Sequence, residues 1–496
     1  MNTKALRQKV LDLAIHGKLV PQNPNDESAT VLLEKIRAEK ADKIKKGELK
    51  ADKKDSFIFV GSDKRHYEQF ADGTVKDIED EIPFDVPEGW AWCRLLEIST
   101  LKGGKRIPAG LSAIKTPTEH IYIRVTDMRN NSISDDDLVY IDDSIFEKIK
   151  QYTINKTDLY LTIAGTIGRV GEVPEKFDGM NLTENALKLT NIYVNKRYLM
   201  FILNSSFVQD YFESTYHQVA MPKLSLINAS KALIPIPPHD EQDRIVVAIE
   251  KSFEQIHCLE QNKSDLQDAI KQAKSKILDL AIHGKLVPQD STDEPAEELL
   301  KRIATSDNRP YEKVEEEPFE IPDSWKWVKL GDIGQTNIGL TYHPNDISNT
   351  GIIVLRSNNI QNDKLCFDDI VKVNSNTKIL NNQYINNGDI LICARNGSQS
   401  LVGKCVLLNN LKEKTSFGAF MAVFRSNYNR YIFKYLQSKY FKDYMFESNS
   451  TQIHQLTQSM LKDALIPFPP EKEQVRIVAK IDELYSQLDQ IQNNLV

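Results

Sequence analysis

LDLAIHGKLVPQ, residues Leu11 to Gln22, returns without a change at Leu278 to Gln289. Self-similarity of this kind decides the architecture before any local pattern does, and three more pairs follow. PFDVPEGWAWCRL (Pro83 to Leu95) matches PFEIPDSWKWVKL (Pro318 to Leu330) at an offset of 235. ALIPIPPHDEQDRIVVAIE (Ala232 to Glu250) matches ALIPFPPEKEQVRIVAKID (Ala464 to Asp482) at an offset of 232. Between them INKTDLYL (Ile154 to Leu161) resembles INNGDILI (Ile385 to Ile392). Each half reads as an opening strand with paired tryptophans, a variable block of about 140 residues, a Pro-Pro stop and a helix. The frames match and the block interiors barely do, which is the pattern of one scaffold carrying two payloads.

Two prolines bar backward extension of the helix after Pro238, with Asp240 as N-cap and Asp243 at N3. In heptads from Ile249, its a and d positions are Ile249, Ser252, Ile256, Leu259, Lys263, Leu266, Ile270, Ala273, Ile277 and Leu280. Eight of the ten are apolar, which predicts a long coiled-coil helix stopped at Gly284. The alternative, a long helix lying on a globular core, fits the narrow stripe less well. At an offset of 232 the C-terminal segment carries Ile481, Leu484, Leu488, Ile491 and Leu495 in the register of Ile249 to Lys263. At an offset of 267 the N-terminal segment carries Leu6, Val10 and Leu13 in the register of Ala273, Ile277 and Leu280. Val496 corresponds to Ser264 and Met1 to Asp268, so the two end segments read as halves of one more copy of the central helix. The expected arrangement is pseudo-circular and pseudo-twofold, both end segments antiparallel to the central helix and their termini about 6 Å apart along one axis.

The length predicts two to four structural units. No apolar run approaches the ~20 residues of a spanning helix, and MNTKALRQKV has no signal-peptide core, so a cytoplasmic location is expected. Cys93, Cys258, Cys366, Cys393 and Cys405 form no CxxC pair and read as reduced thiols used as small apolar residues. The net charge of −7 is uneven. Glu88 to Ile236 holds 17 basic and 17 acidic residues, Glu320 to Phe468 holds 16 and 12, and the remainder 30 and 41. The acidity therefore lies outside the two blocks, which stay compatible with a polyanion. Two connectors of mixed charge, Asn23 to Ile82 with a helix from about Ala29 to Lys46, and Asp290 to Glu317 with EPAEELLKRI, read as solvated linkers with an apolar docking stripe.

Catalytic signatures are missing. GSQSLVGKC (Gly397 to Cys405) has five residues between its glycines and a Cys after Lys, and GTIGRVG (Gly165 to Gly171) is not GxGxxG; both read as turns after strands. No Asn-Pro-Pro-aromatic tetrapeptide and no HExxH occurs. His16 and His283, inside the dodecamer, suit a helix end or packing better than a metal. No catalytic or metal residue is assigned. The blocks instead hold polar loops: KGGKR (Lys102 to Arg106), YIRVTDMRNN (Tyr122 to Asn131) and AGTIGR (Ala164 to Arg169) in the first. The second holds LRSNNIQN (Leu355 to Asn362), ARNGSQS (Ala394 to Ser400) and TQIHQ (Thr451 to Gln455). Arg suits guanine O6/N7, Asn and Gln suit adenine N6/N7, and Lys or Arg can hold phosphates.

The duplicated IP-x-P-P-x-x-EQ-x-x-I junctions, the strands EGWAW and DSWKW, and LDLAIHGKLVPQ resemble the specificity subunit of Type I restriction-modification systems, over essentially the whole chain. The resemblance implies a mixed α+β fold with two target-recognition domains separated by a long antiparallel coiled coil, each domain reading half of a split double-stranded DNA sequence. It implies two methyltransferase subunits that use S-adenosylmethionine to methylate adenine N6, and restriction subunits that use ATP and Mg²⁺, none of these ligands being bound by this chain. The domains expected are 1–22 and 471–496 as halves of the second helix, 23–82 and 290–317 as linkers, 83–238 and 318–470 as recognition domains, and 239–289 as the central helix. Placement in that frame makes Lys105, Arg106, Arg124, Thr126, Asp127, Arg129, Asn130, Thr166 and Arg169 the candidate DNA contacts of the first block. Arg356, Asn358, Asn359, Gln361, Arg395, Asn396, Ser398, Gln399, Gln452 and His454 are those of the second. Asp135 to Asp137 are expected to face away from DNA, where phosphate repulsion is costly. A coiled-coil scaffold binding protein or carbohydrate is the competing reading, separated by salt-dependent DNA binding. A free-standing nuclease or methyltransferase is disfavoured by the missing catalytic motifs.

Overall fold

The computed structural model describes residues 2–50, 55–216, 222–307, 313–447 and 455–495. It divides into two compact units, Met1–Gln261 and Asn262–Val496, each built of mixed helices and short strands. Among the described residues no helix is long and apolar enough to cross a membrane.

In the first unit the strand Ala91–Arg94 pairs antiparallel with Leu233–Ile236, Pro235 standing opposite Trp92. The two matched frames are therefore one β-ribbon, and everything between them is an insertion closed at its neck. A two-stranded ribbon tolerates proline because its outer edges need no partner. Inside lie two four-stranded sheets. One runs, in spatial order, Val170–Glu172, Leu159–Thr162, Ala186–Thr190, Thr100–Gly103. The other runs Thr153–Ile154, Met180–Leu182, His120–Ile123, Tyr140–Ile141, with its middle pair parallel.

The second unit repeats this order with almost unrelated residues. Lys326–Lys329 pairs with Leu465–Phe468, Pro467 opposite Trp327. Its sheets run Cys405–Leu407, Ile390–Cys393, Met421–Arg425, Gln335–Ile338, and Tyr384–Ile385, Thr415–Phe417, Ile347–Leu355, Val371–Val373. All four tryptophans are buried.

The dodecamers answer to this neck. The N-terminal helix Thr3–Ile15 ends at His16, and Gly17 takes φ +62; Gly17 N–H bonds to Ala14 and Lys18 N–H to Leu13. That is a Schellman stop, which needs a left-handed residue. Gly284 (φ +65) makes the same bonds to Ala281 and Leu280 after the central helix His239–Ile282. Neither glycine could carry a side chain, since a Cβ would lie 2.3 Å from Pro87 or 2.4 Å from Pro322. His16 stacks on Phe84 and His283 on Phe319 at 4.0 and 3.9 Å. Gln22 donates to Glu241 and Gln289 to Glu473, at 2.7 and 2.6 Å; the indoles of Trp90 and Trp325 donate to the second oxygens at 3.1 and 3.0 Å. Burial pushes both carboxyls above the usual range, and these donors pull them partly back.

The N-terminal helix runs antiparallel to the first part of the central helix, with Arg7 paired to Glu260 and lying over Phe253. The helix Glu471–Asn494 runs antiparallel to its later part, where Lys274 pairs with Asp489 and the Tyr485 hydroxyl donates to the Lys274 carbonyl. Arg7 and Lys274 are equivalent in the repeat.

Several expectations are corrected. The central helix starts at His239, its first free N–H groups meeting the Pro238 carbonyl, so Asp240 lies inside the first turn and is not the N-cap. The seam is narrower than the heptads imply. Ile249, Ile256, Ile270 and Ile481 are buried, Val10, Leu13, Ile277, Leu280, Leu484 and Leu488 are half-buried, and Leu6, Leu259, Leu266 and Ile491 are exposed. The reason is that the N-terminal helix spends its best apolar face, Leu11, Ala14 and Ile15, on the globular body instead. Asn23 to Ile82 is no plain linker. Beyond the helix Ala29–Lys45 it holds a three-stranded sheet, Ser56–Val60, His66–Phe70 and Val75–Asp77, whose Ile58 packs with Ile78, Trp92 and Leu233. The second connector has only the helix Ala296–Asp307 among its described residues. Cys93, Cys393 and Cys405 are buried as expected of apolar fillers, whereas Cys258 is exposed. Met1 and Val496, on which the end-to-end register depends, lie outside the described residues.

Candidate nucleic-acid interface

In the first unit the strand His120–Ile123 delivers Arg124 into one 3₁₀ turn, Val125–Asp127, followed by the hairpin Met128–Arg129/Ser132–Ile133. Asn130 and Asn131 sit at its tip with φ +53 and +56, the two left-handed residues of a type I′ turn, which asparagine tolerates. Asp127 is 5% exposed. Its carboxylate accepts the Arg124 backbone N–H at 2.8 Å and grips the guanidinium side-on, at 3.2 Å from Nε and 2.7 Å from Nη2. That hydrogen bonding, with the charge of Asp127, raises the Arg124 pKa further.

The second unit builds the same turn at an offset of 232. Arg356 follows the strand ending at Leu355, its N–H donates to the Asn359 side chain at 2.8 Å, and the hairpin Ile360–Gln361/Lys364–Leu365 turns on Asn362 (φ +50) and Asp363 (φ +58). Asn359 is 1% exposed and donates to the carbonyls of Cys366 and Asp369. Asp127 and Asn359, expected as DNA contacts, are thus buried turn-builders whose polar atoms are already used.

The remaining candidates divide by place. Thr126, Arg129, Asn130, Thr166 and Arg169 line one open cleft of about 850 Å³. The loop 164–169 reaches it because Arg169 Nη1 donates to the Met128 carbonyl at 3.2 Å. Asn131, Asn185 and Asn204 also line it; sequence reading passed over Asn185 and Asn204, which come from a strand end and a helix end with no loop signature. Lys105 and Arg106 do not line the cleft. Lys105 lies over the Tyr152 ring and the exposed Arg106 pairs with Glu184 at 2.6 Å. In the second unit Asn396 Nδ2 reaches Ser357 at 3.4 Å, which joins the loop carrying Arg395, Ser398 and Gln399 to the turn carrying Arg356, Asn358 and Gln361. Arg395 lies over the exposed Phe420 ring. Gln452 and His454 lie outside the described residues.

The acidic run does not face away from these groups. Asp135 pairs with Lys176, Asp136 with Arg129, and Asp137 with both Lys115 and Arg124. Carboxylates in a cationic surface are held by their neighbours, and the pKa of Asp137 is lowered by Lys115 first and Arg124 next.

These features match known proteins. The chain is 26% identical to the Type I restriction enzyme EcoAI specificity subunit of Escherichia coli, over 97% of this chain and 88% of that one. It is 26% identical to the EcoEI specificity subunit of Escherichia coli, over 99% and 90%. Among solved structures, the HsdS subunit from Thermoanaerobacter tengcongensis shares the fold at a TM-score of 0.51 and 18% identity, over 84% of this chain and 94% of that one. A chain solved in work on assembly and conformational transition of the type I R-M system gives 0.56 and 18%, over 83% and 94%. The family model for the Type I restriction modification DNA specificity domain matches residues 87–268 and 322–496, more than half of the chain. Those two spans each begin beside a tryptophan strand and run into a helix of the repeat, so the chain belongs to the Type I restriction modification DNA specificity family and carries its domain twice.

Proposed function

We propose that this chain is the non-catalytic reading subunit of a Type I restriction-modification complex, each unit recognising one half of a split duplex sequence. The arginine turn, built at the same position in both units among otherwise different residues, carries this reading. Arg124, Arg129 and Arg169 in the first unit, and Arg356 and Arg395 in the second, supply the donors for guanine edges and phosphates, and the nearby Asn, Thr, Ser and Gln side chains supply the rest. Antiparallel helices of the coiled-coil type then serve as the spacer between the readers in a pseudo-twofold frame. Two methyltransferase subunits methylate adenine with S-adenosylmethionine, restriction subunits use ATP and Mg²⁺, and this chain binds none of those ligands itself. The complex works in the cytoplasm.

The test is genome-wide mapping of N6-methyladenine in cells with and without the gene. The expected result is one two-part motif methylated only when the gene is present. An unchanged methylation pattern, with the partner subunits expressed, would overturn the reading. The isolated full chain should bind duplex DNA weakly and with little sequence preference, because blocks of net charge 0 and +4 release few counterions.

A further inference from the structure

Asp137 and Asp369 stand 232 positions apart, the offset that also relates Arg124 to Arg356 and the two hairpin tips. Each holds the arginine of its own unit. Arg124 Nη2 lies 3.3 Å from Asp137 Oδ2, and Arg356 Nη2 lies 2.9 Å from Asp369 Oδ2. Asp369 also accepts from Asn358 Nδ2 at 3.0 Å, and Asp137 is shared with Lys115. The two carboxylates are 72% and 64% exposed, and ion pairs that open add little to folding. An acidic group on a DNA-reading surface also weakens attraction to phosphate. A pair that adds little stability, opposes phosphate binding and still recurs where other block residues differ needs a role in recognition itself.

The geometry supplies one. In Arg124 the Nε–Nη2 side is taken by Asp127. Nη2 also donates to Asp137, to its backbone carbonyl and, more loosely, to its carboxylate, so that Asp137→Asn removes the charge and leaves the carbonyl contact in place. Two donors remain, both on Nη1. The local charge is cancelled, so the guanidinium offers little to a phosphate, whose attraction is long-range and undirected. It still offers a directed Nη1 N–H to an acceptor on a guanine edge. We propose that Asp137 and Asp369 are specificity-determining positioning residues, which hold Arg124 and Arg356 away from phosphates and aim them at bases. This inference rests on the reading of the two arginines as DNA contacts.

The experiment uses the full chain assembled with its methyltransferase subunits and carrying Asp137→Asn or Asp369→Asn, which keep shape and remove charge. Binding to the target duplex and to an unrelated duplex is measured across a range of salt, and methylated sites are mapped in cells. Each variant should bind the unrelated duplex several-fold tighter, steepen the log–log salt slope by about one, and lower the ratio of target to unrelated affinity. Methylation should relax in one half-site with Asp137→Asn and in the other half-site with Asp369→Asn. Unchanged slope and ratio, or equal loss on both duplexes, would overturn the proposal. Arg124→Ala separates the two layers. If it leaves the first half-site intact, the arginine is no DNA contact. If it destroys recognition there while Asp137→Asn behaves as the parent, only the role of the carboxylate fails.

Discussion

The side-chain amide of Gln22 donates to the carboxylate of Glu241 at 2.7 Å, across 219 positions of sequence. With the Trp90 indole on the other oxygen, one carboxylate ties the dodecamer, the tryptophan strand and the start of the central helix together. Glu241→Ala leaves the buried Trp90 indole N–H without its acceptor and should cost about 1–3 kcal/mol. Urea unfolding followed by tryptophan fluorescence reads this, and Glu473→Ala should repeat it in the second unit. Equal midpoints for parent and both variants would show that the junction contributes nothing.

Gly17→Ala and Gly284→Ala should each destabilise their own unit. The left-handed backbone alone costs a residue with a Cβ about 1–2 kcal/mol, and contact with Pro87 or Pro322 adds to that. A variant at either position with parental thermal stability would contradict the packing described.

Block exchange should follow the neck. Replacing residues 95–232, between the paired strands Ala91–Arg94 and Leu233–Ile236, with the matching block of another family member should change one half of the methylated sequence. A change in both halves would mean that the units do not read independently.

Stability of the first unit should fall as pH rises towards mild alkalinity. Burial pushes the Glu97 carboxyl up to about 8 from an ordinary 4.5, while Arg37, at 3.2 Å, and Lys40 pull it back. The folded value lies above the unfolded one, so the contribution is full below the ordinary glutamate range and is lost as pH passes through about 8. Glu97→Gln should flatten this dependence. Urea midpoints at about pH 5, 7 and 9 decide it, and a variant as pH-sensitive as its parent would remove Glu97 from the explanation.

What could be read beforehand was whatever repeats or punctuates. The dodecamers, the tryptophan strands and the Pro-Pro stops marked the frame, and the cap of the central helix was placed two residues late, at Asp240. The arginine turn was flagged by its polar run. What escaped depended on partners far along the chain. Nothing local says that AWCR pairs with LIPI, or that Leu11, Ala14 and Ile15 face the body while Leu6 stays exposed. The sheet at 56–77 did carry a local signal: SFIFV, a turn at Gly61 to Lys64, then HYEQF. Mixed charge around it hid the hairpin. Asp137 and Asp369 were visible only by carrying the offset of 232 into blocks that otherwise looked unrelated.

The partner of Arg7 lies 253 positions downstream, and this has a consequence for the order in which the molecule forms during synthesis. The helix Thr3–Ile15 has 13 residues, too few to persist in water without support. At ~5–20 residues per second on the ribosome, its Arg7 waits on the order of ten seconds to a minute before Phe253 and Glu260 exist to receive it, after the body that takes Leu11, Ala14 and Ile15 has been made. The β-ribbon is held open in the same way until Ile236 has been made, so each block can settle its own sheets before the neck closes on it. Assembly therefore runs from the inside outward, with the most repeated parts of the sequence last to reach their places.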